Sequence, residues 1–203
     1  MNFLKKLFNL KPKGYYLTIL LNDKITPISR GYLYENPLDE KLKALNFGEV
    51  TGGGTYLEDK AVKGPDEVNS VDIEIFITSK IGKNDVIMTI IQFLESIGVP
   101  KGSKIEKGPN HNEVQFGNLE GMAVYLDGVN LSKEVYKNSD PNILEENIKK
   151  LCNIKSDVVR SWQGNSESAI YFYSDSFNKM SEAIKHLVET RPDFVNSRIV
   201  QIA

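Results

Sequence analysis

Hydrophobic and polar positions alternate most cleanly between Val71 and Ile77. Val71, Ile73, Ile75 and Ile77 fall on one side of an extended chain, and Asp72, Glu74 and Phe76 on the other. That period of two predicts a strand with one buried face. A wider stripe follows from Asp85, where Val86, Ile87, Ile90, Ile91, Phe93, Leu94 and Ile97 recur at helical spacing and Gly98 with Pro100 ends the helix. Upstream, Tyr16 to Leu21 is rich in strand formers and stops at the turn pair Asn22-Asp23. After an irregular stretch around Pro27 and Arg30, Asn36 reads as a helix cap, Pro37 as the first helical residue, and Leu38, Leu42 and Leu45 as its apolar stripe. Gly48 to Leu57 reads as a strand with glycine in its middle, and Lys104 to Glu106 as a short final strand.

The same order of elements returns in the second half. Gly121 to Val129 predicts a strand, Asp140-Pro141 opens a helix carrying Ile143, Leu144, Ile148 and Leu151, and Val158–Trp162 pairs with Ala169–Tyr173 across Gln163-Gly164-Asn165. A helix from Phe177 and a closing strand, Ile199 to Ile202, complete it. The leading-helix leucines are offset by 106 residues, Leu38 with Leu144 and Leu45 with Leu151. The pattern therefore predicts an α+β chain built by tandem duplication of a ferredoxin-like βαββαβ unit, with helices on one face of antiparallel sheets. The expected boundaries are an amphipathic helix at 1–14, a first unit at 15–107, a linker at 108–120 and a second unit at 121–203.

Composition narrows the function classes more than it picks one. The 203 residues carry 25 Lys and Arg against 27 Asp and Glu, a near balance that excludes a general nucleic-acid binder. One cysteine, Cys152, makes no internal disulfide. No apolar run reaches the roughly 20 residues of a membrane span, and the N-terminus has neither a continuous apolar core nor a small-residue cleavage site. Cytoplasmic location without stable membrane insertion is the expectation, with weak surface contact by residues 1–13 through Phe3, Leu4, Leu7 and Phe8 among lysines.

Candidate chemistry is sparse. Gly52-Gly53-Gly54 lacks the Gly-Lys-Ser/Thr ending and the following helix of a phosphate loop, and reads as a bulge or a close approach of other backbone. Glu49, Asp72 and Glu74 supply acids for a divalent cation or an acid/base pair, without an accompanying histidine. His111 and His186 have no ligand-type neighbour at metal spacing, and Cys152 has no basic partner nearby in sequence. The densest cluster is Tyr125, Arg160, Trp162, Tyr171, Phe172 and Tyr173. Arginine with large amphipathic rings suits protein recognition, and equally suits the filling of a contact between the two sheets.

Gly48 to Thr55, Gly98-Val99-Pro100-Lys101-Gly102-Ser103-Lys104, Glu120 to Gly128 and the terminal Val200-Gln201-Ile202-Ala203 together resemble a bacterial family of two-repeat proteins of uncharacterised function. The resemblance covers nearly all of the chain after the N-terminal helix. It associates the chain with small cytosolic immunity-type proteins of toxin systems, carries over no catalytic residue, and implies a protein toxin as partner. The expected function is accordingly a non-enzymatic, cytosolic protein-binding protein of the immunity type that needs no cofactor. Tyr125, Arg160, Trp162, Tyr171 and Tyr173 are its expected contact residues. The alternative is a small-molecule or metal-dependent enzyme using Glu49, Asp72 and Glu74 in the groove between the two units.

Overall fold

The structure is a computed structural model that describes residues 13–58, 65–106 and 113–203. The amphipathic segment expected at 1–14, and with it the expected membrane-surface contact, falls almost wholly outside them. Among the described residues, nine strands form two antiparallel sheets. β1 (Tyr15–Leu21), β2 (Gly48–Leu57), β3 (Val68–Ile77), β4 (Ser103–Glu106) and β5 (Glu113–Phe116) make the first, in the order β2-β3-β1-β4-β5. β6 (Glu120–Asp127), β7 (Ser161–Gln163), β8 (Glu167–Ser174) and β9 (Arg198–Gln201) make the second, in the order β7-β8-β6-β9. The helices are α1 (Pro27–Arg30), α2 (Asn36–Ala44), α3 (Lys83–Ile97), α4 (Lys133–Asn138), α5 (Pro141–Leu151) and α6 (Phe177–Thr190). Among the described residues, no helix is long and apolar enough to cross a membrane.

The alternation read from the sequence sets the layering. Leu17, Ile19 and Leu21 of β1 and Val71, Ile73, Ile75 and Ile77 of β3 are buried together with Leu38 and Leu42 of α2 and the stripe Val86 to Leu94 of α3. In the second half, Met122, Val124, Ile170 and Phe172 turn the same way, onto Leu144 and Ile148 of α5 and Met180 and Ile184 of α6. Each sheet thus offers one face to its helices by residues two apart, and the intervening residues to the opposite side.

Three details depart from the sequence expectations. The stretch around Pro27 and Arg30 is helical: α1 runs through a widened π turn, Gly31–Glu35, directly into α2. Asn36 is therefore no cap but an interior residue in helical conformation, whose N–H reaches back to the carbonyl of Gly31. The cause is Pro37, which has no N–H to give and in a regular helix would press on the carbonyl four residues earlier; the wider turn relieves that contact. Secondly, the segment expected as a linker holds β5, which pairs with β4 from Ser103↔Phe116 to Glu106↔Glu113 and buries Phe116 in the first core. Thirdly, the strand expected at Val158–Trp162 shortens to β7. Arg160 still accepts a hydrogen bond from the Tyr171 N–H, while Val158 is inserted in the first half's core.

The face assignment of β3 is testable. Ile75 is fully buried among aliphatic side chains, and Glu74 is exposed. Ile75→Asp forces a carboxylate into that core and is expected to cost about 4 kcal/mol or more, whereas Glu74→Gln stays within about 0.5 kcal/mol. Urea denaturation midpoints of the two variants measure the difference.

Candidate functional site

The densest polar chemistry lies where the second sheet meets the end of the first. Arg160, at the start of the β7 edge, donates from Nε and Nη2 to the two carboxylate oxygens of Asp23 at 2.7 and 2.8 Å. Asp23 is completely buried, Arg160 nearly so. The Tyr34 hydroxyl donates to the same carboxylate at 2.8 Å, the Tyr173 hydroxyl accepts from the Lys24 N–H at 3.1 Å, and the Tyr173 ring centre lies 5.1 Å from the Arg160 guanidinium. A second buried carboxylate stands alongside: Glu67 accepts from the hydroxyls of Tyr125 and Tyr171 at 2.9 and 2.7 Å and faces Lys24 Nζ at 3.1 Å. Trp162, half-buried at the rim, donates from its indole N–H to the carbonyl of Pro65 at 3.0 Å.

Strand geometry produces this arrangement. Tyr125 of β6 pairs with Ala169 of β8, and Ala123 with Tyr171, so rings and small residues checker the face away from the helices. The expected partner-binding set, Tyr125, Arg160, Trp162, Tyr171 and Tyr173, is thereby brought together, but against the chain's own first half. Its tyrosine rings are buried and Trp162 is half-buried, and its polar atoms bond to Asp23, Lys24, Pro65 and Glu67. Sequence reading missed those partners because Asp23 falls in a turn pair and Glu67 in none of the predicted elements. The available signal was Arg160 itself, since a guanidinium among rings on a strand needs a buried acid.

The first sheet keeps its side opposite the helices open at one end. Three rows of side chains cross it. Asp72, Leu20, Lys104 and Gln115 align in one, Glu74, Thr18, Glu106 and Glu113 in the next, and Glu49, Phe76 and Tyr16 in the third. Tyr16 is 63% exposed and its ring lies 4.8 Å from that of Phe76; Glu49 and Glu74 are exposed beside them. Lys104 is bonded to Glu113. The acids Glu49, Asp72 and Glu74 share this face without converging, and among the described residues no three ligand-type side chains stand close enough to hold a metal ion. Nor do they line the cavity between the halves, a space of about 60 Å³ bounded by Leu33, Gly98, Val158, Arg160 and Tyr173 among others.

The glycines of β2 serve close approach. Arg30, buried and paired with Glu35 at 2.6 Å, donates to the carbonyl of Gly54 and to Thr55 Oγ1. A Cβ on Gly53 would lie 2.7 Å from the Glu35 carboxylate, so only glycine fits beneath that pair.

No family model matches the chain, and no curated protein does. Among solved structures, the "Putative monooxygenase" of Fusobacterium nucleatum subsp. nucleatum is 9% identical over 92% of this chain and 90% of its own, with a TM-score of 0.30. An "Unknown Protein" from Galdieria sulphuraria is 10% identical over 93% and 96%, with a TM-score of 0.27. Likeness at that level carries no argument about activity.

Reactive groups elsewhere are quiet. Cys152 donates to the carbonyl of Met180 at 3.7 Å, and burial pushes its thiol up to about 11, away from nucleophilic thiolate. His186 is exposed on α6, and His111 lies outside the described residues.

Two predictions follow from the joint between the halves. Arg160→Met strands the buried Asp23 carboxylate and is expected to cost about 3 to 5 kcal/mol, while adding Asp23→Leu to it recovers most of the loss; urea unfolding of the single and double variants checks this. Burial, reinforced by hydrogen bonding to Glu67, raises the phenols of Tyr125 and Tyr171, and burial with the Asp23 charge raises those of Tyr34 and Tyr173. Above the ordinary phenol value near 10, the unfolded chain releases protons that the folded chain retains, so stability falls as pH rises. Denaturation midpoints between about pH 8 and 11 are expected to decline, less steeply in Tyr171→Phe.

Proposed function

We propose that the chain is a non-enzymatic, cytosolic protein-binding protein of the immunity type, built from two ferredoxin-like units at 15–107 and 121–203, and that it holds its partner on the open face of the first sheet. The strand orders support the duplication. In each half the first strand lies between the third and fourth, and the second lies beyond the third, which is the ferredoxin-like order.

The observation that carries the functional reading is the contrast between the two faces turned away from the helices. That of the second sheet is consumed by the joint, whereas that of the first leaves Tyr16 exposed against Phe76 between Glu49 and Glu74. An amphipathic ring held by a second ring is a low-entropy anchor, and flanking carboxylates give orientation and a fast encounter with a basic surface. The occluded partner of the immunity reading is a protein toxin.

Co-purification with the protein encoded next to this chain's gene tests the proposal. A stable complex is expected, weakened by Tyr16→Ala by about 2 kcal/mol, or roughly thirtyfold in Kd, with an unchanged melting temperature. Absence of a complex, or a complex indifferent to Tyr16→Ala, overturns it.

A further inference from the structure

We propose that the cleft between the end of α5 and the start of α6 binds a small aliphatic carboxylate, its head held by Lys155 and Lys179 and its apolar tail directed inward between the two halves of the chain. This goes beyond the protein-binding reading and does not rest on it. The cleft measures about 500 Å³, within the range of about 300 to 1,000 Å³ typical of small-molecule sites. Residues Leu151 to Ser156 line it from the end of α5 and the segment that follows, and Lys179, Met180 and Ala183 line it from α6.

The depth of the cleft is an independent observation. Leu119, Ile154, Ser156 and Tyr173 line both the cleft and the recess of about 60 Å³ between the halves, so the two spaces adjoin. Leu33, Ile97, Val158 and Phe172 make that recess largely apolar. Its charged residues are already engaged, Arg160 by Asp23 and Lys149 by Glu145. An apolar space whose ions are neutralised within the protein accepts a hydrocarbon chain and rejects a second charge. Cys152 adds to the apolar wall, since its thiol stays protonated.

The mouth has the opposite character. Lys155 and Lys179 are exposed there, and among the described residues neither has an ion-pair partner. Asp175 is the acid that lines the cleft with them, while Glu120, next to Leu119, is held by Lys101 and by the N–H of Phe177. Two cations against one acid favour an anion in a chain whose acids outnumber its bases, 27 to 25. The backbone donors that a phosphate would want at the start of α6 are spent, the Phe177 N–H on Glu120 and the Lys179 N–H on Ser176 Oγ. A carboxylate, which two ammonium groups can satisfy, fits better.

The test titrates decanoate, below the concentration at which it forms micelles, into the full chain by calorimetry, and follows maleimide labelling of Cys152, the chain's single cysteine. Saturable binding is expected, together with slower labelling of the thiol that lines the cleft. Lys155→Gln combined with Lys179→Gln is expected to weaken binding about tenfold or more, and Ala183→Phe, which fills the cleft, to abolish it, while Lys137→Gln on α4 leaves it unchanged. Acetate, which lacks the tail, and decyltrimethylammonium, which carries the opposite charge on the same tail, are expected to bind at least about tenfold more weakly. The lysine pair lies on the surface, so that variant is expected to keep the wild-type melting temperature and decides the matter even where Ala183→Phe does not fold. No saturable binding, unchanged Cys152 labelling at saturation, equal affinity for decyltrimethylammonium, or wild-type affinity in the double lysine variant overturns the proposal.

Discussion

A fully buried carboxylate, Asp23, held by both arms of a buried guanidinium, Arg160, fixes how the two halves meet. Each ion alone would cost several kcal/mol to desolvate, so the pair is tolerable only when its geometry is complete. Tyr34 takes up a carboxylate lone pair and the Tyr173 ring covers the guanidinium, which completes it. Aliphatic surfaces slide over one another at little cost, but this pair does not. Together with Glu67 beneath Tyr125 and Tyr171, it admits one relative position of the sheets.

That single position explains why two sheets of similar strand order have different outer faces. The second sheet must present groups that both fill space and satisfy buried acids. Tyrosine does both, and alanines between the rings let them approach the opposing loops. Among the described residues, the first sheet meets the joint at its end, through Asn22 to Lys24 and Glu67. At its far end the outer face is freed from packing constraints, and Glu49, Glu74 and an exposed Tyr16 stand there at no cost to the core.

Much of the layering was legible in the sequence because it depends on periodicity. The alternation at Val71–Ile77 and the stripe at Val86–Ile97 assign faces without knowledge of the partner elements, and both faces are as expected. What failed were features decided by a distant residue or by one unusual backbone turn. Asn36-Pro37 has the local signature of a helix start, and only the helical stretch before it turns that signature into a π turn. Glu113–Phe116 is too short and polar to announce a strand until β4 offers an edge. At the site, the aromatic cluster was found by composition alone, with two readings left open, because sequence gives no means of knowing that Asp23, 137 residues from Arg160, is its acid.

The joint also makes the halves interdependent although each has its own core. Val158 of the second half is buried in the first core, and the first half's Asp23 and Glu67 are neutralised or hydrogen-bonded largely by residues of the second. A first half folded ahead of the second leaves two acids short of partners, so its stability is completed only when the second sheet docks.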